Sequence, residues 1–313
     1  MAEEVKAVEQ AGEIKIKVEP HFQGITLIKY LKKNKIGIPY ALIQKLLRKK
    51  AIKVNGKRVK EEQILEPNDE IVIPAFAVGA VKIKKQVATK RDAEKLIKII
   101  YEDKNCVAID KPQGLATQGG NRVSISVDDL LPFMAKNGEK YFLTHRLDKD
   151  TTGVLLIAKT RQAAQLIGDS FKHKFVEKKY LALVAGKVLT QNGYIAFPLG
   201  KRGSTGGSEK VMVDEENGKK AYTEYRVLEN FGPTATLLEI TPKTGRKHQI
   251  RVHLAAIDHP IIGDGKYGGS KAFVEGLPKT LHLHAWKLSH SDNYFKPITA
   301  EIPKRFSLTG VTK

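Results

Sequence analysis

The densest segment of the sequence reads Thr144-His-Arg-Leu-Asp-Lys-Asp-Thr-Thr-Gly153 and runs directly into the apolar stretch Val154-Leu-Leu-Ile-Ala158. An apolar stretch of this length predicts a buried strand. Loops that a rigid scaffold holds in place are a usual location for catalytic side chains. We therefore predict a functional site at this junction, with Asp148 among its residues.

The segments around this junction indicate alternating strands and helices. Residues 99–110 are typical of two strands joined by a polar turn, and residues 179–184 of a further strand. Between them, residues 161–171 have the apolar spacing of a helix. Residues 239–254 contain a turn at Thr244-Gly245 and continue with a strongly basic run. The large part of the chain is therefore predicted to be an α+β domain.

The chain is long and strongly basic. Its 313 residues, at about 150 residues per domain, suggest two domains. With 54 Lys and Arg against 34 Asp and Glu, the net charge is +20. This balance favours a polyanionic partner such as a nucleic acid, an anionic membrane surface or an acidic protein.

Much of this charge lies between residues 25 and 60, which hold twelve basic residues and no Asp or Glu. A surface with no binding role usually mixes both signs, because like charges repel each other. The exclusion of acids is what a phosphate-binding face requires. The predicted RNA-binding residues in this segment are Lys45, Arg48, Lys49, Lys50, Lys53, Lys57 and Arg58.

The same basic segment has the pattern of a folded module. Two apolar helix faces are separated by Pro39, and the dipeptide Asn55-Gly56 predicts a two-residue hairpin turn. The apolar residues 71–73 follow a turn and predict a strand. We expect a flexible segment at 1–20, the basic module at 21–75, a linker at 76–94 and the large domain at 95–313.

Composition also excludes several classes of protein. The single cysteine, Cys106, leaves no intrachain disulfide and no cysteine-based metal cluster. No apolar stretch approaches the length of a membrane span. The first ten residues carry three glutamates and match neither a secretory signal nor a mitochondrial presequence. The expectation is a cytoplasmic protein that does not bind membranes.

Two apparent ligand-binding motifs lack the sequence context that such sites require. Residues 263–268 satisfy G-x-G-x-x-G, but they follow a His-Pro turn and no helix opens after them, which argues against dinucleotide binding. The histidines at 248, 253, 282 and 284 have no cysteine or acidic residue at a usual ligand spacing. No metal site is predicted.

The basic module resembles the S4 RNA-binding domain. The resemblance runs from about Gly24 to Pro74 and is strongest over residues 43–59, Ile-Gln-Lys-Leu-Leu-Arg-Lys-Lys-Ala-Ile-Lys-Val-Asn-Gly-Lys-Arg-Val. Residues Thr26 and Ile28 stand where this lineage would have Arg and Asp. The resemblance implies that the module binds RNA.

The large domain resembles the RluA family of pseudouridine synthases. His145-Arg-Leu-Asp148 with Thr151-Thr-Gly153 is similar to the family signature. Three further motifs agree in order and spacing, namely Lys111-Pro-Gln-Gly114, Tyr180-Leu-Ala-Leu-Val-Ala-Gly186 and Thr244-Gly-Arg-Lys-His-Gln-Ile-Arg-Val-His253. Together with the S4-like module they resemble the RluC and RluD branch. This implies a mixed, mainly antiparallel sheet in the catalytic domain.

The resemblance also implies residue roles. Asp148 would be the catalytic carboxylate, either as a nucleophile or as a base for the 2′ proton, and the sequence leaves both open. Arg246 would be its cationic partner, and Tyr180 would stack on the flipped base or assist proton transfer at C5. Arg146 would fill the gap left by the flipped nucleotide, and Ile250 would pack against the pocket. No metal or organic cofactor is implied.

The implied function is isomerisation of uridine to pseudouridine in structured RNA, with 23S (large-subunit) ribosomal RNA or an assembling large subunit as partner and a monomer as the working state. Three alternatives stay open. One is a non-catalytic ribosomal-RNA-binding or ribosome-assembly factor that keeps the fold. Another is a different base-flipping enzyme such as a glycosylase, which would release free uracil. The third is a protein of the membrane surface, which the lack of an amphipathic apolar helix disfavours.

Overall fold

The structure is a computed structural model that describes all residues except 1–6, 11, 34–37, 39, 76, 78–87, 120–122, 137–138, 203–209 and 307–313. The chain divides into two compact units, one of Met1–Gln86 with Gly120–Ser124 and one of Val87–Gly119 with Ile125–Lys313. Pro39 and most of the predicted linker lie outside the described residues.

The described residues of the first unit include a five-stranded sheet in the order β1-β2-β5-β3-β4 and the helices α1 and α2. Asn55 and Gly56 both have positive φ, 51° and 72°, as the two central positions of a hairpin turn between short strands require. The predicted helices and hairpin are confirmed. The elements are β1 (Ala7–Gln10), β2 (Glu13–Lys17), α1 (Leu27–Lys33), α2 (Tyr40–Arg48), β3 (Lys53–Val54), β4 (Lys57–Arg58) and β5 (Glu70–Pro74).

The N-terminal segment differs from the prediction. Residues 1–20 were expected to be flexible, but β2 pairs with β5 along its whole length and β1 pairs with β2. The reason is visible in Glu13-Ile-Lys-Ile-Lys17, whose alternation places Ile16 in the core at 1% exposure. The predicted linker also extends too far at its C-terminal end, because residues 90–94 belong to a helix. Thr89 and Asp92 form a capping box at the N-terminus of this helix.

The second unit is built on a ten-stranded sheet whose main path is β11-β14-β15-β10-β16-β9-β7-β6. The pairing of β16 with β9 is parallel, and the other pairings described in this sheet are antiparallel. This confirms the α+β class and the mixed, mainly antiparallel sheet. Its helices are α3 (Lys90–Leu96), α4 (Val127–Met134), α5 (Arg161–Lys172) and α6 (Gln249–Ala256).

The strands of the second unit have the following bounds. They are β6 (Lys98–Glu102), β7 (Cys106–Lys111), β8 (Phe142–Leu143), β9 (Thr152–Ala158), β10 (Val176–Ala185), β11 (Asn192–Ile195), β12 (Leu199–Arg202), β13 (Lys210–Val213), β14 (Thr223–Phe231), β15 (Ala235–Pro242), β16 (Leu283–His290) and β17 (Ile298–Thr299). Strands β12 and β13 form a separate two-stranded sheet.

Strand β9 is buried along its whole length because helices cover both of its faces. Leu155 and Ile157 pack in one cluster with residues of α4, whereas Val154 and Leu156 pack in another with Ala163 and Ile167 of α5. A strand covered on both faces carries apolar residues at successive positions, which explains the unbroken apolar run. The buried strand gives the loop before it a rigid support.

Gly153 is required at the start of this strand. Its φ is +105°, and a Cβ added there would lie 2.2 Å from the carbonyl oxygen of Ala285 on the parallel neighbour β16. We expect Gly153→Ala to lower the free energy of unfolding by more than about 2 kcal/mol, because backbone must move to relieve this contact. Urea denaturation measures the effect.

Gly168→Ala is the matched control, since a Cβ there meets no atom within 4 Å. Its position inside α5 predicts a gain in stability of about 0.5–1 kcal/mol. Equal effects at the two positions would contradict the account of Gly153.

Candidate active site

The loop between β8 and β9 carries Asp148 and is held by side chains from several elements. Thr144 donates its hydroxyl to the carbonyl of Leu156 at 2.7 Å, and the amide of Leu156 donates to Nε2 of His145 at 3.0 Å. The Thr117 hydroxyl donates to the carbonyl of Leu147 at 2.8 Å and accepts from its amide at 3.1 Å. The stretch of the loop that leads into Asp148 is therefore fixed.

The strongest support for this loop is Lys111, which is fully buried at the end of β7. Its ammonium group donates to three backbone carbonyls, those of Leu115 at 2.8 Å, Pro112 at 3.0 Å and Lys149 at 3.0 Å. Burial lowers the pKa of Lys111 to about 8, although the charges of Asp150 and Asp148 oppose this. The early Lys-Pro-x-Gly motif thus has a structural reason, because its lysine ties two loops together.

We expect Lys111→Met to lower the free energy of unfolding by at least about 2 kcal/mol, because each buried acceptor left unpaired costs about 1–3 kcal/mol. Chemical denaturation measures this. The control is Lys98→Met, which removes an exposed ion pair with Glu301 and should change stability by less than about 1 kcal/mol. A Lys111 variant as stable as this control would contradict the anchoring role.

Asp148 lies in a cavity of about 920 Å³ in the second unit, and its side chain is 28% exposed. Nη1 of Arg251 lies 3.5 Å from one carboxylate oxygen, and Nε2 of His248 lies 3.7 Å from the other. Among the described residues, these are the basic groups that lie within 4 Å of the Asp148 carboxylate. The cavity therefore contains a partly buried carboxylate that lies beside a guanidinium group.

Arg251 is oriented by a second acid. Its Nε and Nη2 donate to the two oxygens of Asp264 at 2.8 and 2.7 Å, and Asp264 is 1% exposed. The guanidinium also lies 5.0 Å from the ring centroid of Tyr267. Burial opposes the charge of Arg251, but the hydrogen bond and charge of Asp264, with the charge of Asp148, raise its pKa. Such a two-point contact fixes the guanidinium plane.

His248 is the N-cap residue that precedes α6, and it has the left-handed conformation at φ 55°. Its Nδ1 is hydrogen-bonded to the hydroxyl of Tyr267 at 2.5 Å. Burial lowers the pKa of His248 to about 4, against the opposing charge of Asp148. His248 is therefore neutral near pH 7, and Arg251 supplies the positive charge beside Asp148.

The structure changes the expected partner of Asp148. Arg246 lines the same cavity, but it is exposed and its Nε donates to the carbonyl of Lys220 at 3.1 Å. The expected pair between Arg246 and Asp148 is not made, and Arg251 takes that place. The reason is local, because Arg246 lies in the turn before α6, whereas Arg251 lies on the helix itself.

The other predicted residues lie around the same cavity. Tyr180 is half-buried on β10, and its pKa is raised by burial and by the charge of Asp148. Ile250 is 7% exposed and packs with Leu254 in the core under α6. Arg146 is exposed. One cavity is thus lined by all five of the predicted site residues, which are Arg146, Asp148, Tyr180, Arg246 and Ile250.

Sequence reasoning missed Arg251, His248, Asp264 and Lys111 as parts of the site. Lys111, His248 and Arg251 lie inside motifs that carried the resemblance, but nothing in the sequence indicated their contacts with one another or with Asp148. The rejected G-x-G-x-x-G segment holds Asp264 and Tyr267, which orient Arg251. In the part of the chain that the structure describes, no three His, Cys, Asp or Glu side chains are grouped to hold a metal.

Comparisons with known proteins agree with this arrangement. Residues 105–256 match the family described as RNA pseudouridylate synthase, and residues 26–71 match the S4 domain. Ribosomal large subunit pseudouridine synthase C of Rickettsia bellii is 37% identical over 291 residues, which cover 90% of this chain and 95% of the relative. The protein of the same name from Haemophilus ducreyi is 37% identical, with 85% of this chain and 82% of the relative covered.

Among solved structures, human RNA pseudouridylate synthase domain containing 4 is 28% identical, with a TM-score of 0.56, and the match covers 69% of this chain and 92% of that one. The family match includes Asp148, Tyr180 and Arg251. No helix among the described residues has the length and apolar character that a membrane crossing needs.

Proposed function

The chain belongs to the RNA pseudouridylate synthase family, and on that premise we propose that its cavity isomerises uridine to pseudouridine in large-subunit ribosomal RNA. The observation that carries this is Asp148, which stands in the family's motif and opens into the cavity beside Arg251. The names of the relatives support 23S ribosomal RNA as the substrate.

The reaction breaks the bond between C1′ and N1, rotates the uracil and forms a bond between C1′ and C5, while one proton leaves C5 and N1 gains one. The reacting atoms are inaccessible in a stacked helix, so the nucleotide must flip into the cavity. Asp148 acts there either on the sugar or base carbon as nucleophile or on the 2′ proton as base. Both roles place its carboxylate against the flipped nucleotide.

Arg251 positions Asp148, because the hydrogen bonds to Asp264 already hold the guanidinium group of Arg251 in place. Tyr180 forms the wall where the base stacks or where the C5 proton leaves. Ile250 packs below the base. Arg146 is exposed at the cavity and supplies the side chain that replaces the flipped nucleotide. Arg246, also exposed, contacts the RNA strand at the edge of the cavity.

The S4 domain supplies the sequence-independent part of RNA binding. Its predicted binding residues are exposed, apart from the half-buried Lys53. They lie on the last turns of α2, the residues after it and the hairpin of β3 and β4, and they are Lys45, Arg48, Lys49, Lys50, Lys53, Lys57 and Arg58. A surface of this kind binds phosphates and releases counterions.

Changing Arg48, Lys49 and Lys57 together to Gln should weaken RNA binding and lower the slope of log Kd against log salt by about 2–3, at about 0.7–0.9 per lost phosphate contact. Turnover at saturating RNA should stay unchanged. Changing the exposed Lys98, Lys104 and Lys271 to Gln is the control. Equal losses in the two triple variants would contradict a specific RNA-binding face.

The proposed function is tested by incubating the protein with unmodified large-subunit RNA and analysing the nucleosides. Pseudouridine of unchanged mass without free uracil is the expected result. Free uracil would indicate a glycosylase. Tight binding without either product, on RNA and on precursor particles, would indicate an assembly factor.

Cytoplasmic location follows from the proposed ribosomal substrate and stays a prediction, as does the expected lack of membrane binding. We also expect a monomer, and light scattering of the purified protein with and without RNA measures its oligomeric state.

A further inference from the structure

Lys178 is a cation of the catalytic cavity that the roles above leave unused. It lies on β10, two residues before Tyr180, and lines the cavity that holds Asp148. Its ammonium group lies 5.9 Å from the ring centroid of Phe171 at the end of α5. A Cβ atom placed on Gly245 would lie 4.0 Å from the same ammonium group. The charge is thus held between the end of α5 and the turn after β15.

This charge is partly desolvated and has no acid to compensate it. Lys178 is half-buried, and burial lowers its pKa with no opposing effect from a carboxylate. Glu177 also lines the cavity, but among the described residues no acid forms an ion pair with Lys178. Its neighbour Lys179, in contrast, pairs with Glu239 at 3.2 Å. A desolvated cation without a partner is unfavourable until an anion arrives.

The groups nearest to Lys178 leave room for such an anion. His145, on the loop that carries Asp148, has its pKa lowered to about 3 by burial and by the charge of Lys178, so it is neutral. Its Nε2 is already occupied by the amide of Leu156. Gly245 has no side chain to fill the space beside the ammonium group. Each of these features leaves the ammonium group of Lys178 open to the cavity.

We propose that Lys178 binds a backbone phosphate of the RNA strand next to the flipped nucleotide, an inference that rests on the proposed function. Phosphate is the anionic group that RNA presents, and a lysine binds it as a point charge. The contact forms only when the strand follows its nucleotide into the cavity. Lys178 therefore supports the flipped state, in addition to the contacts that the S4 domain makes elsewhere on the RNA.

The test compares Lys178→Met with the wild type on a short RNA that contains a uridine which the wild type converts. We expect weaker binding by about tenfold, and a slope of log Kd against log salt that is lower by about 0.7–0.9. Lys178→Arg should recover most of the affinity. Lys104→Met removes an exposed lysine in the turn between β6 and β7 and should change neither quantity.

A second experiment replaces one backbone phosphate beside the target uridine with a neutral methylphosphonate. Substitution at the contacted phosphate should weaken the wild type as much as Lys178→Met does, and should have no further effect on the variant. Additive losses at both adjacent phosphates would overturn the proposal, as would unchanged affinity and salt slope in Lys178→Met.

Thermal unfolding separates binding from a structural role. Because Lys178→Met removes an uncompensated charge, its midpoint should be unchanged or higher. A lower midpoint with an unchanged salt slope would make Lys178 structural and overturn the proposal. If the wild type converts no uridine in any RNA tested, the proposed function fails. Conversion by the wild type with no effect at Lys178 would refute only the phosphate contact.

Discussion

Asp148→Asn is expected to lower turnover by at least about 10²–10⁴-fold, the range that loss of a positioned proton-transfer group produces. Loss of a nucleophile would abolish turnover altogether. The substitution keeps the size of the side chain, and Arg251 keeps Asp264 as its partner, so the cavity should stay intact. RNA affinity should remain within about twofold, because phosphate contacts dominate binding. Single-turnover kinetics and filter binding measure the two effects.

Asp150→Asn is the matched control for this substitution. Asp150 lies on the same loop and is exposed, and it makes no ion pair within the part of the chain that the structure describes. Turnover near that of the wild type is expected. Residual activity of the Asp148 variant above about 5% would contradict the assignment, since it would leave less than about 20-fold to the carboxylate.

Arg251→Met is expected to lower the free energy of unfolding by about 3–5 kcal/mol, because it leaves the buried carboxylate of Asp264 without its cation. It should also abolish turnover, because Asp148 loses the guanidinium beside it. Arg251→Lys keeps the charge but not the two-point contact with Asp264, so an intermediate result is expected. Urea denaturation and turnover are measured on the same preparations.

Arg246→Met distinguishes this structure from the pairing that the sequence suggested. Arg246 is exposed, so its loss should change stability by less than about 0.5 kcal/mol. We expect weaker RNA binding and a smaller effect on turnover than at Arg251. Abolished turnover in Arg246→Met with normal turnover in Arg251→Met would show that the structural pair is not the functional one.

The S4 domain was predictable because its signals are local. Apolar spacing indicates the helices, and Asn55-Gly56 specifies the hairpin turn that the structure contains. The N-terminal strands were missed although Glu13-Ile-Lys-Ile-Lys17 alternates clearly. Strand β2 is stabilised by pairing with β5, far along the chain, and such pairing cannot be read from local sequence.

In the candidate site, too, features with local sequence signals were predictable, whereas contacts between distant segments were not. The signature loop identified Asp148, and β9 was recognisable as a buried strand. The choice between Arg246 and Arg251 was not decidable from spacing, because it depends on where the turn ends and α6 begins. The role of Asp264 is likewise three-dimensional, since it reaches Arg251 from a turn that sequence alone gave no reason to place there.

The most direct test of the account is a map of pseudouridine along unmodified large-subunit RNA after incubation with the wild type and, separately, with Asp148→Asn. We expect a small number of discrete sites with the wild type and none with the variant. The same sites in both reactions, or no site with the wild type on either free RNA or precursor particles, would contradict it.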